Sequence, residues 1–315
     1  MRSFLDSAPL LHDPDALRAR FKRDGYLFLR GVLESSVLEN LRQQIVAVLS
    51  RGGWLAGSTE SGKLAPGISP LVEGDDEYFL VYDEVQKLEA LHRVPHECCV
   101  RLPFVRLLGD SVFPHPLSIA RLAFPGKTDG ATPPHQDYPN NQGTVDLYTG
   151  WIPLTDCPVS LGGLAVLEGS HKIGLLPVAP SVGAGNRQAV LDSRHDDLEW
   201  VGGDYLVGDM LIFHSLTVHR ALPNQSDGMR LSVDYRFQAQ GDSLTENCLQ
   251  PHFRRLDWEQ IYGGWESREL AYYWRDKQYN TVPWNDELLA VSEHSLAEAI
   301  REKIIFDHKR GRKPR

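Results

Sequence analysis

Cysteine is scarce in this chain. There are four in 315 residues, Cys98, Cys99, Cys157 and Cys248, and none are spaced Cys-x-x-Cys. That excludes a zinc knuckle or a thioredoxin-like redox pair and leaves free thiols in a reducing compartment as the expectation. Basic charge is also short: 33 Lys and Arg against 42 Asp and Glu give a formal net charge of −9. Such a surface does not suit phosphate neutralisation, so nucleic acid and anionic membrane are poor partners. No apolar run reaches the roughly eighteen residues of a membrane span. The first residues, Met1-Arg2-Ser3-Phe4-Leu5-Asp6, lack the apolar centre of a secretory leader. Also missing are a Gly-x-Gly-x-x-Gly after a strand, a complete P-loop pattern and a Gly-x-Ser-x-Gly elbow, which removes the usual warrants for dinucleotide, P-loop and α/β-hydrolase chemistry. A cytoplasmic protein acting on a small molecule is the expectation, with oligomeric state unspecified.

At 42% hydrophobic and 24% charged, the composition is that of a folded domain. We expect one domain in three regions: helices and a strand over 1–110, a β-rich core over 111–240, and a helical extension over 241–315. Asp13-Pro14 reads as a helix start, with Leu17 and Phe21 one turn apart and Gly25 as the stop. The segment Gly25–Val32 reads as a strand. Ser36 and Glu39 form a capping-box pattern before a helical stripe ending at Gly52-Gly53. The Gly/Ser/Pro-rich stretch from Gly53 to Gly74 predicts a loop able to overhang a site. Helical patterns follow near Asp83–Arg93 and His96–Leu108. Short alternating runs then predict strands at Leu117–Phe124, Val145–Leu154, Leu164–Leu167, Met210–His219 and Met229–Gln238, the pattern of an antiparallel sandwich or barrel. Helical patterns return at Leu256–Trp274 and His294–Phe306, in a Trp-rich segment that caps the sheet or forms a lid or dimer face.

Twelve histidines are present, so position must select among them. In Pro133-Pro134-His135-Gln136-Asp137, a strand would send His135 and Asp137 to one face. Alone, His-x-Asp is as consistent with an ordinary surface hydrogen bond. A second element ends the run Gly208–His219, and Arg230 opens the next alternating segment. Two histidines and one carboxylate on one face of a metal leave open positions, as in non-haem Fe(II) oxygenases, whereas structural zinc is closed by four ligands and often uses Cys. Parity along an unbroken strand turns His214 away from His219, and His171 reads as a turn residue.

On these residues the chain resembles the phytanoyl-CoA dioxygenase family of Fe(II)/2-oxoglutarate oxygenases. The resemblance rests on the GYLFLRGV strand, His135-x-Asp137, Trp151, GGLAVLEGSH at Gly162–His171, GDMLIFH at Gly208–His214, then His219, Asn224 and Arg230. It implies a mainly β fold with helices: a double-stranded β-helix, the jelly-roll or cupin-like core, with N-terminal and C-terminal helices outside. It implies Fe(II) held by His135, Asp137 and His219, with 2-oxoglutarate and O2 as cosubstrates. Arg230 would meet the distal carboxylate of 2-oxoglutarate, a role suited to the rigid guanidinium fork. Trp151 would line the cosubstrate pocket, and a core aromatic is an equal reading. The sequence departs from the family at Ala221, where many relatives place a Ser that helps hold that carboxylate; a Thr or Tyr on a neighbouring strand is the expected substitute.

The implied reaction is hydroxylation of an unactivated C–H bond of a small molecule, with release of succinate and CO2. Halogenating relatives replace the carboxylate by a small residue, so Asp137 favours hydroxylation. Arg121, Lys127, Tyr138, Asn140, Asn141 and Arg236 are polar candidates near the substrate mouth, surface salt bridges being the commoner use of Arg and Lys. The alternatives are a zinc-dependent hydrolase or lyase, or a non-catalytic metal-binding protein, on the same scaffold. Arg230 speaks against hydrolysis, which needs no carboxylate clamp beside its metal.

Overall fold

Alternation along the segment Arg230–Ala239 dictates the architecture. Leu231, Val233, Tyr235 and Phe237 enter one apolar cluster, while Arg230, Ser232, Asp234, Arg236 and Gln238 are buried as well. Successive side chains of a strand face opposite sides. This strand therefore needs cover on both faces, apolar on one and polar on the other. The computed structural model, which describes residues 1–56, 63–126 and 130–290, provides two facing sheets with helices packed on the apolar outer face of the larger one.

In chain order the strands are β1 (Arg2–Ser3), β2 (Tyr26–Leu29), β3 (Val112–Ala123), β4 (Tyr148–Pro153), β5 (Leu164–Leu167), β6 (Val178–Pro180), β7 (Arg187–Ala189), β8 (Trp200–Gly202), β9 (Met210–His214), β10 (His219–Ala221), β11 (Arg230–Ala239), β12 (Ser243–Leu244) and β13 (Asn280–Thr281). The larger sheet runs β2-β9-β4-β11-β3 and the smaller β1-β8-β5-β10, with only the β1–β8 pair parallel in either. Between them lies a small core that includes Tyr26, Phe28, Trp151, Val166, Tyr205 and Phe213. This is the jelly-roll arrangement expected.

The helices α1 (Pro14–Asp24), α2 (Ser35–Arg51), α3 (Asp76–Gln86), α4 (Glu89–Arg93) and α5 (Cys98–Leu108) bury their apolar sides against the outer face of the larger sheet, where Phe104 stacks on Phe237 at 3.8 Å. Asp13 caps α1 by accepting from the Ala16 amide at 3.0 Å, and Gly25 ends the helix in the left-handed conformation at φ 78°. A side chain at Gly25 would collide with His171 and Thr217.

Several expectations need correction. Helix α2 starts at Ser35 with Glu34 as its cap, so Ser36 and Glu39 form no capping box, and Glu39 instead binds Arg42 and Gln43. The run Met210–His219 is two strands: it turns after His214 and crosses to the other sheet before His219. Strand parity therefore does not relate His214 to His219. The helix expected over Leu256–Trp274 is only α6, Trp258–Tyr262. Gly263 and Gly264 end it, and the following turns seat Trp265 beside Tyr262, with the indole donating to the Lys87 carbonyl at 3.1 Å. The helical pattern at His294–Phe306 lies outside the described residues. None of the described helices is long and apolar enough to cross a membrane.

Candidate active site

His135 and Asp137 meet without a regular strand. His135 pairs with His219 as a lone β-bridge, the two backbones exchanging bonds of 2.9 and 3.0 Å. Asp137 turns into helical backbone at φ −75°, ψ −29°, with its amide bonded to the Ser215 carbonyl. The bridge and this turn, rather than strand parity, bring the three side chains together. His135 Nε2 and His219 Nε2 are each 3.8 Å from Asp137 Oδ1.

The far nitrogen of each ring fixes its tautomer. His135 Nδ1 lies 2.9 Å from the Pro133 carbonyl and His219 Nδ1 3.0 Å from the Thr217 carbonyl. A carbonyl can only accept, so both Nδ1 atoms carry the proton and both Nε2 lone pairs face the shared space. Burial pushes His135 down to about 3, with His219 adding to the effect, and burial lowers His219 too. Burial alone would raise Asp137, but Arg236, the two imidazoles and the Thr149 hydroxyl outweigh it and hold the carboxyl well below the usual range. Two neutral imidazoles and an ionised carboxylate are the state in which these groups ligate a metal. Their ligand atoms lie within 4.8 Å of one another, the one such His/Asp group among the described residues.

The inner face of β11 supplies the rest. Arg236 Nη1 binds Asp234 at 2.6 Å, and Asp234 binds Arg121 Nε at 3.0 Å. Arg121 in turn meets both Glu73 oxygens at 3.0 Å. Arg236 Nη2 reaches Asp137 Oδ2 at 3.3 Å, and Thr149 donates to that same oxygen at 2.5 Å. Charges thus alternate from Glu73 through Arg121, Asp234 and Arg236 to Asp137. Arg121 and Arg236, read from sequence as substrate contacts or salt bridges, are both engaged in ion pairs, half-buried at Arg121 and buried at Arg236.

Arg230 differs. It is 6% exposed, and among the described residues no carboxylate lies within ion-pair distance of it. Its Nη1 donates to Ser232 Oγ at 3.1 Å, and its Nε has no partner. The Trp151 ring centre lies 5.8 Å away, and the buried indole N–H is also unpartnered. Both residues line a small cavity with the His–Asp–His group. A buried guanidinium lacking a counter-ion is costly, and the unused donors around it suit a carboxylate ligand. Near Ala221, Ser232 on the same strand holds Arg230, and Thr132 lines the same cavity.

A larger cavity of about 290 Å³ opens on the other side of His135 and Asp137, with Leu117, Ile119, Val178, Phe253 and Leu289 among its apolar walls. Asn140, Asn141 and Arg187 line it; Tyr138 is not on its wall, and Lys127 lies outside the described residues. His252, left without a role by the sequence, is also on this wall. The Tyr82 hydroxyl accepts from Gln86 Nε2 at 2.9 Å and sits 2.6 Å from His252 Nδ1. Gln86 takes one lone pair of the hydroxyl, and donation to Nδ1 is what gives the phenol proton a partner, which leaves His252 its own proton on Nε2. Phe253 beside it has a left-handed backbone, φ 61°. No periodicity marks such a corner. Two histidines of the sequence motifs have partners away from this group: His214 lies 3.6 Å from Asp146, and His171 3.1 Å from the Lys22 carbonyl.

Comparison with known proteins agrees with this geometry. Two curated relatives are 1-deoxypentalenic acid 11-beta-hydroxylases, from Streptomyces arenae (29% identical, covering 79% of this chain and 89% of the relative) and Streptomyces exfoliatus (27%, covering 80% and 90%). Among solved structures, the non-heme α-ketoglutarate-dependent epimerase SnoN from nogalamycin biosynthesis superposes with a TM-score of 0.52 at 19% identity, over 73% of this chain and 84% of that one. The carbocyclase SnoK gives 0.51 at 20%, over 73% and 85%. These two likenesses establish the shared fold. The family model for phytanoyl-CoA dioxygenase matches residues 21–232, which include the whole His–Asp–His group and Arg230, and the chain belongs to that family.

Proposed function

We propose that the protein is an Fe(II)- and 2-oxoglutarate-dependent hydroxylase of a small molecule, releasing succinate and CO2. The observation that carries the reading is the pairing of an open His135–Asp137–His219 group with Arg230, a buried cation lacking a carboxylate partner, in one cavity. A zinc hydrolase would have no use for Arg230 there. His135, Asp137 and His219 would hold the iron, which with 2-oxoglutarate supplies the oxygen-activating chemistry when bound.

The chain's own part is placement and exclusion. Arg230 and Ser232 take the distal carboxylate, with the Trp151 indole N–H as a further donor, so the keto acid enters in one orientation. The apolar residues between the sheets keep water from that end of the site. On the other side the 290 Å³ cavity presents the substrate to the open metal face. The named relatives act on a carboxylic acid. Arg187, exposed at this cavity and without an ion pair among the described residues, suits the same feature here. We therefore assign an organic acid with a mainly apolar skeleton as the substrate class.

The test is to supply Fe(II)-loaded protein with 2-oxoglutarate, O2 and a panel of apolar carboxylic acids and to assay succinate and hydroxylated product together. Equal amounts of both from one panel member are expected. Hydrolytic products in a Zn(II)-dependent reaction, with no succinate, would contradict the reading.

A further inference from the structure

The two oxygens of Asp137 are placed unequally in a way the metal-ligand role alone does not require. Oδ1 is the oxygen equidistant from the two imidazole nitrogens, at 3.8 Å from each. Oδ2 faces the protein, taking the Thr149 hydroxyl at 2.5 Å and Arg236 Nη2 at 3.3 Å, with Nη2 slightly farther from Oδ1 at 3.5 Å. Thr149 and Arg236 are register partners, directly opposite on β4 and β11.

Both partners are held in place. Threonine is stiff about its first side-chain torsion, and Thr149 is 1% exposed on a central strand of the larger sheet. Arg236 is fixed by Asp234, Asp234 by Arg121, and Arg121 by Glu73. A short hydroxyl–carboxylate bond and an ion pair are both charge-assisted, stronger than neutral hydrogen bonds. These two bonds occupy both lone-pair sites of Oδ2, which would have to give up at least one of them to bind a metal between the imidazoles.

From this geometry, and resting on the oxygenase reading above, we infer that Thr149 and Arg236 form a cross-strand clamp that holds Asp137 to ligation through Oδ1 alone. His135, His219 and one oxygen of Asp137 would hold the metal and leave its remaining side to 2-oxoglutarate and oxygen. A carboxylate that closed on the metal with both oxygens would compete with them for that space. Thr149 and Arg236 are thus positioning residues that act through Asp137. Arg236 lies beyond the stretch matched by the family model, which ends at residue 232.

The test reads the carboxylate itself. Wild type, Thr149→Val, Thr149→Ser and Arg236→Gln are prepared with ¹³C-labelled aspartate. Isotope-edited infrared difference spectra are then recorded between the Fe(II)-loaded and metal-free protein without oxygen. One-oxygen ligation separates the antisymmetric and symmetric carboxylate stretches widely, and two-oxygen ligation narrows the separation. We expect a wide separation in wild type and Thr149→Ser and a narrowed one in Thr149→Val and Arg236→Gln. A wide separation in Thr149→Val would overturn the clamp, and this isosteric variant decides the matter if Arg236→Gln does not fold. The measurement needs metal only. Failure of wild type to bind 2-oxoglutarate would sink the oxygenase reading while leaving the infrared result to judge the clamp.

Discussion

The guanidinium of Arg230 and the indole of Trp151 lie 5.8 Å apart in the buried cavity beside the metal group, and each keeps one N–H without a partner. Donors buried and unused in the free protein are already desolvated, so a ligand that satisfies them gains the bonds without that cost.

The first prediction follows. Arg230→Lys replaces a fork by a point charge and should weaken 2-oxoglutarate about tenfold or more, with Fe(II) affinity unchanged. Trp151→Phe removes the indole N–H together with the five-membered part of the ring but keeps Arg230, and should weaken it less. Isothermal titration with each ligand checks both, and equal loss of metal and keto-acid affinity would contradict the role of Arg230.

Asp234 sits between two guanidiniums, the half-buried Arg121 at 3.0 Å and the buried Arg236 at 2.6 Å. Burial alone would raise its pKa, but the two arginines hold it low. Asp234→Ala removes the carboxylate the two cations share, leaving Arg121 with Glu73 and Arg236 with Asp137, and should cost about 1.5–3 kcal/mol of stability. Urea unfolding checks this; a loss under about 1 kcal/mol would mean the network is solvated.

Stability should also fall in mild acid for a traceable reason. Burial pushes His92 and His115 down to about 4. The unfolded chain takes protons on these rings below its ordinary pKa of about 6.5, while the folded chain does not until about 4. Their contribution is therefore complete above pH 6.5 and is lost as pH falls from 6.5 toward 4, at up to about 1.4 kcal/mol per pH unit for each ring. In His115→Gln the slope of unfolding free energy between pH 6 and 4.5 should drop by about that amount, and an unchanged slope would show that His115 is protonated in the fold.

His252 gives a fourth. Its Nδ1 accepts from Tyr82, so nitrogen-15 spectra of the metal-free protein should show the Nε2–H tautomer, and Tyr82→Phe should release that preference. An Nδ1–H signal in wild type would remove the donor that we place on the cavity wall.

The metal group was legible because its residues are few in kind and fixed in spacing: His135-x-Asp137, then His219, then Arg230 leading an alternating strand. The alternation of the strands showed an antiparallel sandwich or barrel, and the jelly roll followed from the family resemblance. What escaped were contacts made across the sheet. Thr149 looks like any strand threonine until β4 sets it opposite Arg236. His252 meets Tyr82 from a far part of the sequence. The break after His214 was also hidden, since Ser215-Leu216-Thr217-Val218 continues the apolar pattern while the backbone turns. In the C-terminal segment, aromatic packing around Tyr262 overrode helical periodicity.

The most direct test of the central claim is anaerobic titration of the Fe(II)-loaded protein with 2-oxoglutarate, followed by the visible metal-to-ligand charge-transfer band of a chelated keto acid. The account predicts that the band appears and saturates in wild type, needs far more 2-oxoglutarate in Arg230→Lys, and is absent in Asp137→Ala. Metal bound firmly by wild type with no such band at any 2-oxoglutarate concentration would contradict it.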